Sequence, residues 1–330
     1  MDPHALFDAQ WLRVQQQLFG TSRVSSQRVI VSIGGQPGSG KTHQLEQLLR
    51  DGYSSIDIIP VIGDELRLFH PEYSTLVNDP DPEVMPRKTA EFSARMVEKS
   101  LAYAQEHSYS VAVEGTMRRP KVTLGTLKDF HNHGFATHLV VLAVPEAISW
   151  QGCVMRFVQP YLNGQAARWA PKTAHDAGYL GTQQTLETAL LSPHIDRLTV
   201  MSRSGDTLYD SAAATTTTHS PLDALTYGRT TLTHDERTLW LSNQQFINDA
   251  FAQLPANIRN EILQGPTIEN LTIRDENESL PTRSHSLTAD LPIVLPGVGE
   301  RPDLSQSSQP STSTSPVKRQ GPTNSRGQVL

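Results

Sequence analysis

Residues 28–50 read RVIVSIGGQPGSGKTHQLEQLLR. Val29, Ile30, Val31 and Ile33 form a short apolar, β-branched run, as in a buried strand. Gly35, Gln36, Pro37, Gly38, Ser39, Gly40, Lys41 and Thr42 then satisfy the spacing G-x-x-x-x-G-K-[ST]. Leu45, Leu48 and Leu49 follow at helical intervals. Strand, glycine loop and helix in this order describe a loop whose backbone N–H groups turn inward around a phosphate. The positive end of the helix dipole adds to that attraction. Lys41 is placed to reach the β- and γ-phosphates, and Thr42 to offer a hydroxyl to Mg²⁺. The stretch therefore predicts a nucleotide site, with ATP and Mg²⁺ as the expected cofactors.

Outward from this loop, short apolar segments recur at 56–62, 109–113, 138–143 and 197–201, and helical patterns fill most of the intervals, notably 41–50, 88–106 and 121–133. Strands alternating with helices predict an α/β fold with a mostly parallel central sheet covered on both faces. Residues 4–19 form an amphipathic helix with Leu6, Phe7, Trp11, Val14, Leu18 and Phe19 as its apolar set. Ser204-Gly205-Asp206 reads as a turn closing a terminal hairpin. A Thr-rich stretch at 215–218 reads as a linker. Thr233 to Glu236 form a capping box opening a helix to about Leu254, and a shorter helix runs through Ile258, Ile262 and Leu263. From about 275 the chain turns to Ser, Thr, Pro, Gln and Gly and has too little apolar surface to offset ordering entropy. The expected organisation is a domain over 1–212, a linker and helical extension over 213–274, and a disordered tail over 275–330.

Composition narrows the function classes. The chain has 330 residues and a formal net charge of −6, so its charge balance suggests no nucleic-acid surface. A single cysteine, Cys153, excludes an internal disulfide framework and suits a reducing compartment. No apolar run has the length of a membrane helix. The N-terminus has no basic segment followed by an apolar core of the signal-peptide kind. A cytoplasmic location is the expectation, with export by another kind of address left open.

Several residues invite chemistry. Asp64 ends the run Val61-Ile62-Gly63-Asp64, beyond the carboxyl end of a strand, where ligands of open α/β sheets bind. It suits a general base or an Mg²⁺ organiser, and equally an N-cap for a helix near Glu65. Glu114, closing Val113-Glu114-Gly115-Thr116, has the same two-sided reading. Arg156 and Arg168 have the forked geometry that suits phosphate, although most arginines are solvated or pair with surface acids. His70, His131, His133 and His175 show no metal-ligand spacing; His131 and His133 lie in HNHG, which reads as a helix C-terminal turn. Cys153 has no neighbouring base and reads as inert.

Taken in order, these motifs resemble a zeta toxin, the kinase half of epsilon/zeta toxin–antitoxin systems, over about residues 28–210. GGQPGSGKT at 34–42 is similar to the family's phosphate loop. DELRLFHPEY at 64–73 resembles its D-x-x-x-x-x-H-P segment, which puts the general base on Asp64. FSARMVEKS at 92–100 is similar to the segment whose Glu contacts the sugar, here Glu98. VEGTMR at 113–118 resembles E-G-T-x-R, so Glu114, Thr116 and Arg118 fall on the substrate side. AVPEAISWQGCVMRF at 143–157 and ARWAPKTAHD at 167–176 resemble the segments carrying two catalytic arginines, here Arg156 and Arg168. The resemblance implies a three-layer P-loop kinase-like fold and ATP-dependent phosphorylation of the 3′-hydroxyl of the amino sugar in UDP-N-acetylglucosamine. It also implies a small helical antitoxin as partner. Trp169 departs from the pattern, where a smaller residue is expected, and is expected to reshape the sugar pocket. The alternatives are a kinase of the same fold acting on another metabolite such as a dinucleotide, even as an exported effector, and a non-catalytic nucleotide-dependent module.

Overall fold

The computed structural model describes residues 3–212 and 220–274, all of which fall within one compact unit. The Thr-rich stretch at 215–218 and the expected disordered tail over 275–330 lie outside the described residues. An N-terminal helix α1 (Pro3–Phe19) precedes strand β1 (Val29–Gly34) and helix α2 (Lys41–Gly52). Then come β2 (Ile58–Val61), the single-turn helices α3 (Gly63–Leu66) and α4 (Tyr73–Leu76), α5 (Val84–Glu106) and β3 (Ser110–Gly115). After them come α6 (Pro120–Asn132), β4 (Ala136–Leu142), α7 (Glu146–Leu162), α8 (Lys172–Ala189), β5 (Arg197–Met201) and β6 (Thr207–Asp210). The chain continues through α9 (Pro221–Thr230), β7 (Thr231–Leu232), α10 (His234–Ala250), α11 (Ala256–Leu263) and β8 (Thr272–Ile273).

The main sheet has six strands in the order β2-β3-β1-β4-β5-β6. All pairs are parallel except β5 with β6. β1 is central and buried at every position, which explains its unbroken apolar run: a parallel strand is covered on both faces. Successive residues divide between the two sides. Ile30 joins Met96, Phe130, Leu186 and Leu225, from α5, α6, α8 and α9. Val29, Val31 and Ile33 join Leu45, Leu48, Ile148 and Trp240, from α2, α7 and α10. The three layers expected from the resemblance are present.

Helices α9 to α11 are fastened to this body. Trp240 is buried against the α2 face of the sheet, and Ile247, Ala250, Leu254 and Ile258 complete a third cluster with Trp150, Phe157 and Trp169. Gln151 on α7 donates to the Trp240 carbonyl at 2.9 Å. The Thr233–Glu236 capping box is formed, and β7 pairs with β8 to bring Arg274 back beside the β5–β6 turn.

Candidate active site

The glycine loop between β1 and α2 turns through two left-handed residues, Gly38 at φ 76° and Gly40 at φ 92°, conformations that cost little only for glycine. Gly38 also has no room for a side chain: a Cβ there would lie 2.0 Å from the Ser149 carbonyl oxygen. The loop is seated on α7. Gln36 Nε2 donates to the Val144 carbonyl at 2.9 Å and to Ser149 Oγ at 3.0 Å. Ser149 Oγ in turn lies 2.9 Å from Nε2 of the buried His175. Lys41 Nζ donates to the carbonyls of Gly35 and Gln36, both at 3.0 Å. Burial pushes its pKa down, against the opposing pull of Glu114. Ser39 Oγ is buried with no hydrogen-bond partner among the described residues. A cradle of glycines, an amine and an unpaired hydroxyl fits a phosphate chain.

Asp64 is the second residue of α3, which is capped at Ile62 with no side-chain cap bond. Its carboxylate instead accepts from Arg67 Nε at 3.2 Å and makes a close charged contact with Arg168 Nη2. Burial works to raise its pKa, but the hydrogen bond and charge of Arg168, helped by Arg67 and Arg156, hold it well below the usual carboxylate range. Asp64 is therefore ionised throughout neutral pH. Glu114 is the last residue but one of β3, and its Oε2 accepts from Thr42 Oγ1 at 2.8 Å. This hydroxyl–carboxylate pair at the mouth of the loop is a hard-oxygen donor set of the kind Mg²⁺ prefers. Glu65 beside it has a raised pKa, from burial first and then from the charges of Glu114, Glu46 and Asp64.

Arg156 projects from α7 and Arg168 from the segment before α8. Burial and the neighbouring Arg168 depress the pKa of Arg156, while Arg168 is raised because its Asp64 partner outweighs burial. Lys41, Thr42, Asp64, Glu114, Thr116, Arg118, Arg156 and Arg168 line one cavity of about 780 Å³. Glu98 does not join them. It is exposed on α5, and that helix lines the cavity through Pro86, Arg87, Ala90 and Ser93 instead, with Glu83 at its N-cap. Trp169 is 1% exposed. Its indole packs edge-on against Trp150 and Phe157, so most of its bulk anchors the Arg168 segment in the core rather than filling the pocket.

Three contributors are not among the residues that the motifs single out. Gly152 of α7 abuts the Gly38 carbonyl. Ser149 holds the loop's glutamine. Arg203, in the β5–β6 turn, donates from Nη1 to the Gly38 carbonyl at 2.6 Å. The only available signal for them was position: an arginine just past a strand's carboxyl end, and a small residue in the middle of a helix. Glu146, His175 and Asp176 also lie close together, but Lys172 already meets Asp176 at 2.8 Å and Glu146 at 3.7 Å. Cys153 is buried with its pKa raised by that burial, as an inert thiol should be.

A family model described as zeta toxin matches residues 14–214. The chain is 27% identical over 209 residues to Toxin zeta of Enterococcus hirae, across 63% of this chain and 72% of that protein. It is 28% identical over 211 residues to Toxin PezT of Streptococcus pneumoniae, across 62% and 80% of the two chains. A solved structure from the PezAT chromosomal toxin–antitoxin system of Streptococcus pneumoniae superposes with a TM-score of 0.62 at 21% identity, covering 76% of this chain and 97% of that one. That likeness is one of fold.

Proposed function

The chain belongs to the zeta toxin family, and from that premise we propose that it is an ATP- and Mg²⁺-dependent kinase that phosphorylates the 3′-hydroxyl of the amino sugar in UDP-N-acetylglucosamine. The observation that carries the reading is convergence: Lys41, Asp64, Arg156 and Arg168, from separate segments, line the same cavity as the glycine loop. A switch protein has no need of an ionised carboxylate and two arginines facing its phosphate loop.

In the proposed reaction the loop N–H groups and Lys41 hold the triphosphate. Thr42 and Glu114 would hold Mg²⁺, which would supply charge neutralisation at the phosphates. Asp64 accepts the proton of the acceptor hydroxyl as that oxygen bonds to the γ-phosphorus and the bond to the ADP oxygen breaks. Asp64 is a weak base. That suits a loose transition state, in which little charge builds on the attacking oxygen before bond formation. Arg156 and Arg168 stabilise the equatorial oxygens of the moving group. Thr116 and Arg118 lie on the acceptor side. Acting on this substrate the protein would starve peptidoglycan synthesis and behave as a toxin, with a small helical antitoxin as its partner.

The test is a screen of the purified protein with Mg-ATP and a panel of nucleotide sugars and dinucleotides, with Lys41→Ala as control. The expected product is UDP-N-acetylglucosamine phosphorylated at the 3′-hydroxyl, with turnover nearly abolished in the folded Lys41→Ala protein. Phosphorylation of a dinucleotide instead would replace the acceptor but keep the kinase. Unchanged activity in folded Lys41→Ala would remove the phosphate-loop assignment.

A further inference from the structure

The cavity has two flanks. Asp64 follows β2 and Glu114 is the last residue but one of β3, both on one side of β1, whereas Arg203 follows β5 on the other. In-line phosphoryl transfer sets the attacking and leaving oxygens on opposite sides of phosphorus. With the acceptor beside Asp64, the departing nucleotide must extend over the β4–β5 side. Among the described cations lining the cavity, Arg203 alone is carried by the β5 end.

Arg203 is well placed for that end of the donor. One edge of its guanidinium is bonded to the Gly38 carbonyl. The residue also lines the cavity, and guanidinium planes stack on aromatic rings. The turn that carries it is clamped from two directions. From α2, Gln44 Nε2 donates to the Arg203 carbonyl at 2.8 Å. Within the turn, Ser204 Oγ donates to Asp206 Oδ2 at 2.7 Å. From the C-terminal extension, Arg274 pairs with the same carboxylate at 3.4 Å. Arg274 is 8% exposed, and its backbone N–H donates to the Leu232 carbonyl at 2.7 Å. The extension that supplies Arg274 lies beyond residue 214, where the family match ends.

We propose that Arg203 contacts the nucleoside of the phosphoryl donor, stacking on its base, and that the C-terminal extension positions it through the Arg274–Asp206 pair. The proposal rests on the kinase reading above and adds a donor-side contact to it. Arg274 touches no donor atom in this scheme; it acts through the turn.

The experiment separates the base from the phosphates. Binding of Mg-ATP and of Mg-tripolyphosphate to the full chain is measured by calorimetry. The wild-type protein should prefer ATP by about tenfold, the worth of a partly desolvated cation–aromatic contact. Arg203→Ala should erase that preference: both ligands lose the loop contact to the Gly38 carbonyl, and ATP affinity should fall about tenfold further than tripolyphosphate affinity. Arg274→Ala should lower ATP affinity in the same nucleoside-dependent way, and Arg274→Lys should restore part of it. Equal wild-type affinity for the two ligands would overturn the proposal. So would an Arg203→Ala protein that weakens both alike or neither. If Arg274→Ala loses thermal stability and both ligands in parallel, its positioning role fails. Wild-type binding of neither ligand would bring down the phosphate-loop reading itself, and this inference with it.

Discussion

Gly152→Ala tests whether α7 sets the shape of the phosphate loop. Gly152 sits inside α7, where alanine is the better helix former by about 0.8–1.0 kcal/mol. Judged by the helix alone, the substitution should stabilise. The loop opposes it. A Cβ at 152 would lie 2.7 Å from the Gly38 carbonyl oxygen and 3.4 Å from the Gly38 Cα. Regaining ordinary contact with that oxygen requires a displacement of roughly 0.7 Å. The far side offers little slack, because Gly38 is a left-handed residue and its carbonyl is held by Arg203 at 2.6 Å. Overpacking of this kind costs about 1–3 kcal/mol, so net stability should fall by about 0–2 kcal/mol once the helix gain is subtracted. Function should fall much further, since a misplacement near 1 Å in a reacting site can cost about 100-fold. A loss of about 10- to 100-fold in kcat/KM is therefore expected, against a small change in melting temperature. Differential scanning fluorimetry alongside ATP titration and turnover gives both readings. Wild-type turnover in Gly152→Ala would mean that the loop is not seated on α7 as described.

Three further substitutions probe the site. Asp64→Asn should reduce turnover by about 10²–10⁴-fold while ATP still binds. Because Arg168 holds the Asp64 pKa low, the active carboxylate form is present at neutral pH and is lost only as pH falls through that depressed value. Arg168→Ala should raise the pKa, so the acid limb of its residual activity should move to higher pH; an unshifted limb in the pH–rate profile would deny the coupling. Trp169→Ala removes a side chain that is 1% exposed and should cost about 3–5 kcal/mol of stability by denaturant titration. A loss under 1 kcal/mol would place the indole outside the core.

The relation of sequence to structure differs from residue to residue. The positions of β1 to β5, the loop and the capping box at Thr233 were legible because each rests on neighbouring residues: apolar runs, glycine spacing, a hydroxyl three residues before a carboxylate. The same local grammar left Asp64 with two readings. Only the packed chain removes the cap reading, by bringing Arg168 across 104 residues to its carboxylate and leaving the helix cap to Ile62. Glu98 shows the converse. Its segment matches a family pattern, but α5 lines the cavity near its start, through Arg87, Ala90 and Ser93, and Glu98, further along the helix, is exposed.

Sequence by itself thus determined a phosphate loop between strand and helix, a mostly parallel sheet, and a set of charged residues at strand ends. These depend on local backbone preference and periodicity, which a linear chain displays directly. Tertiary structure decided which charges meet, that the indole of Trp169 packs into the core, and that Gly152, Ser149 and Arg203 shape the loop. Those outcomes turn on distances of a few ångströms between segments far apart in the chain. Such distances are set by the packing of whole helices against the sheet, which no short window of residues encodes.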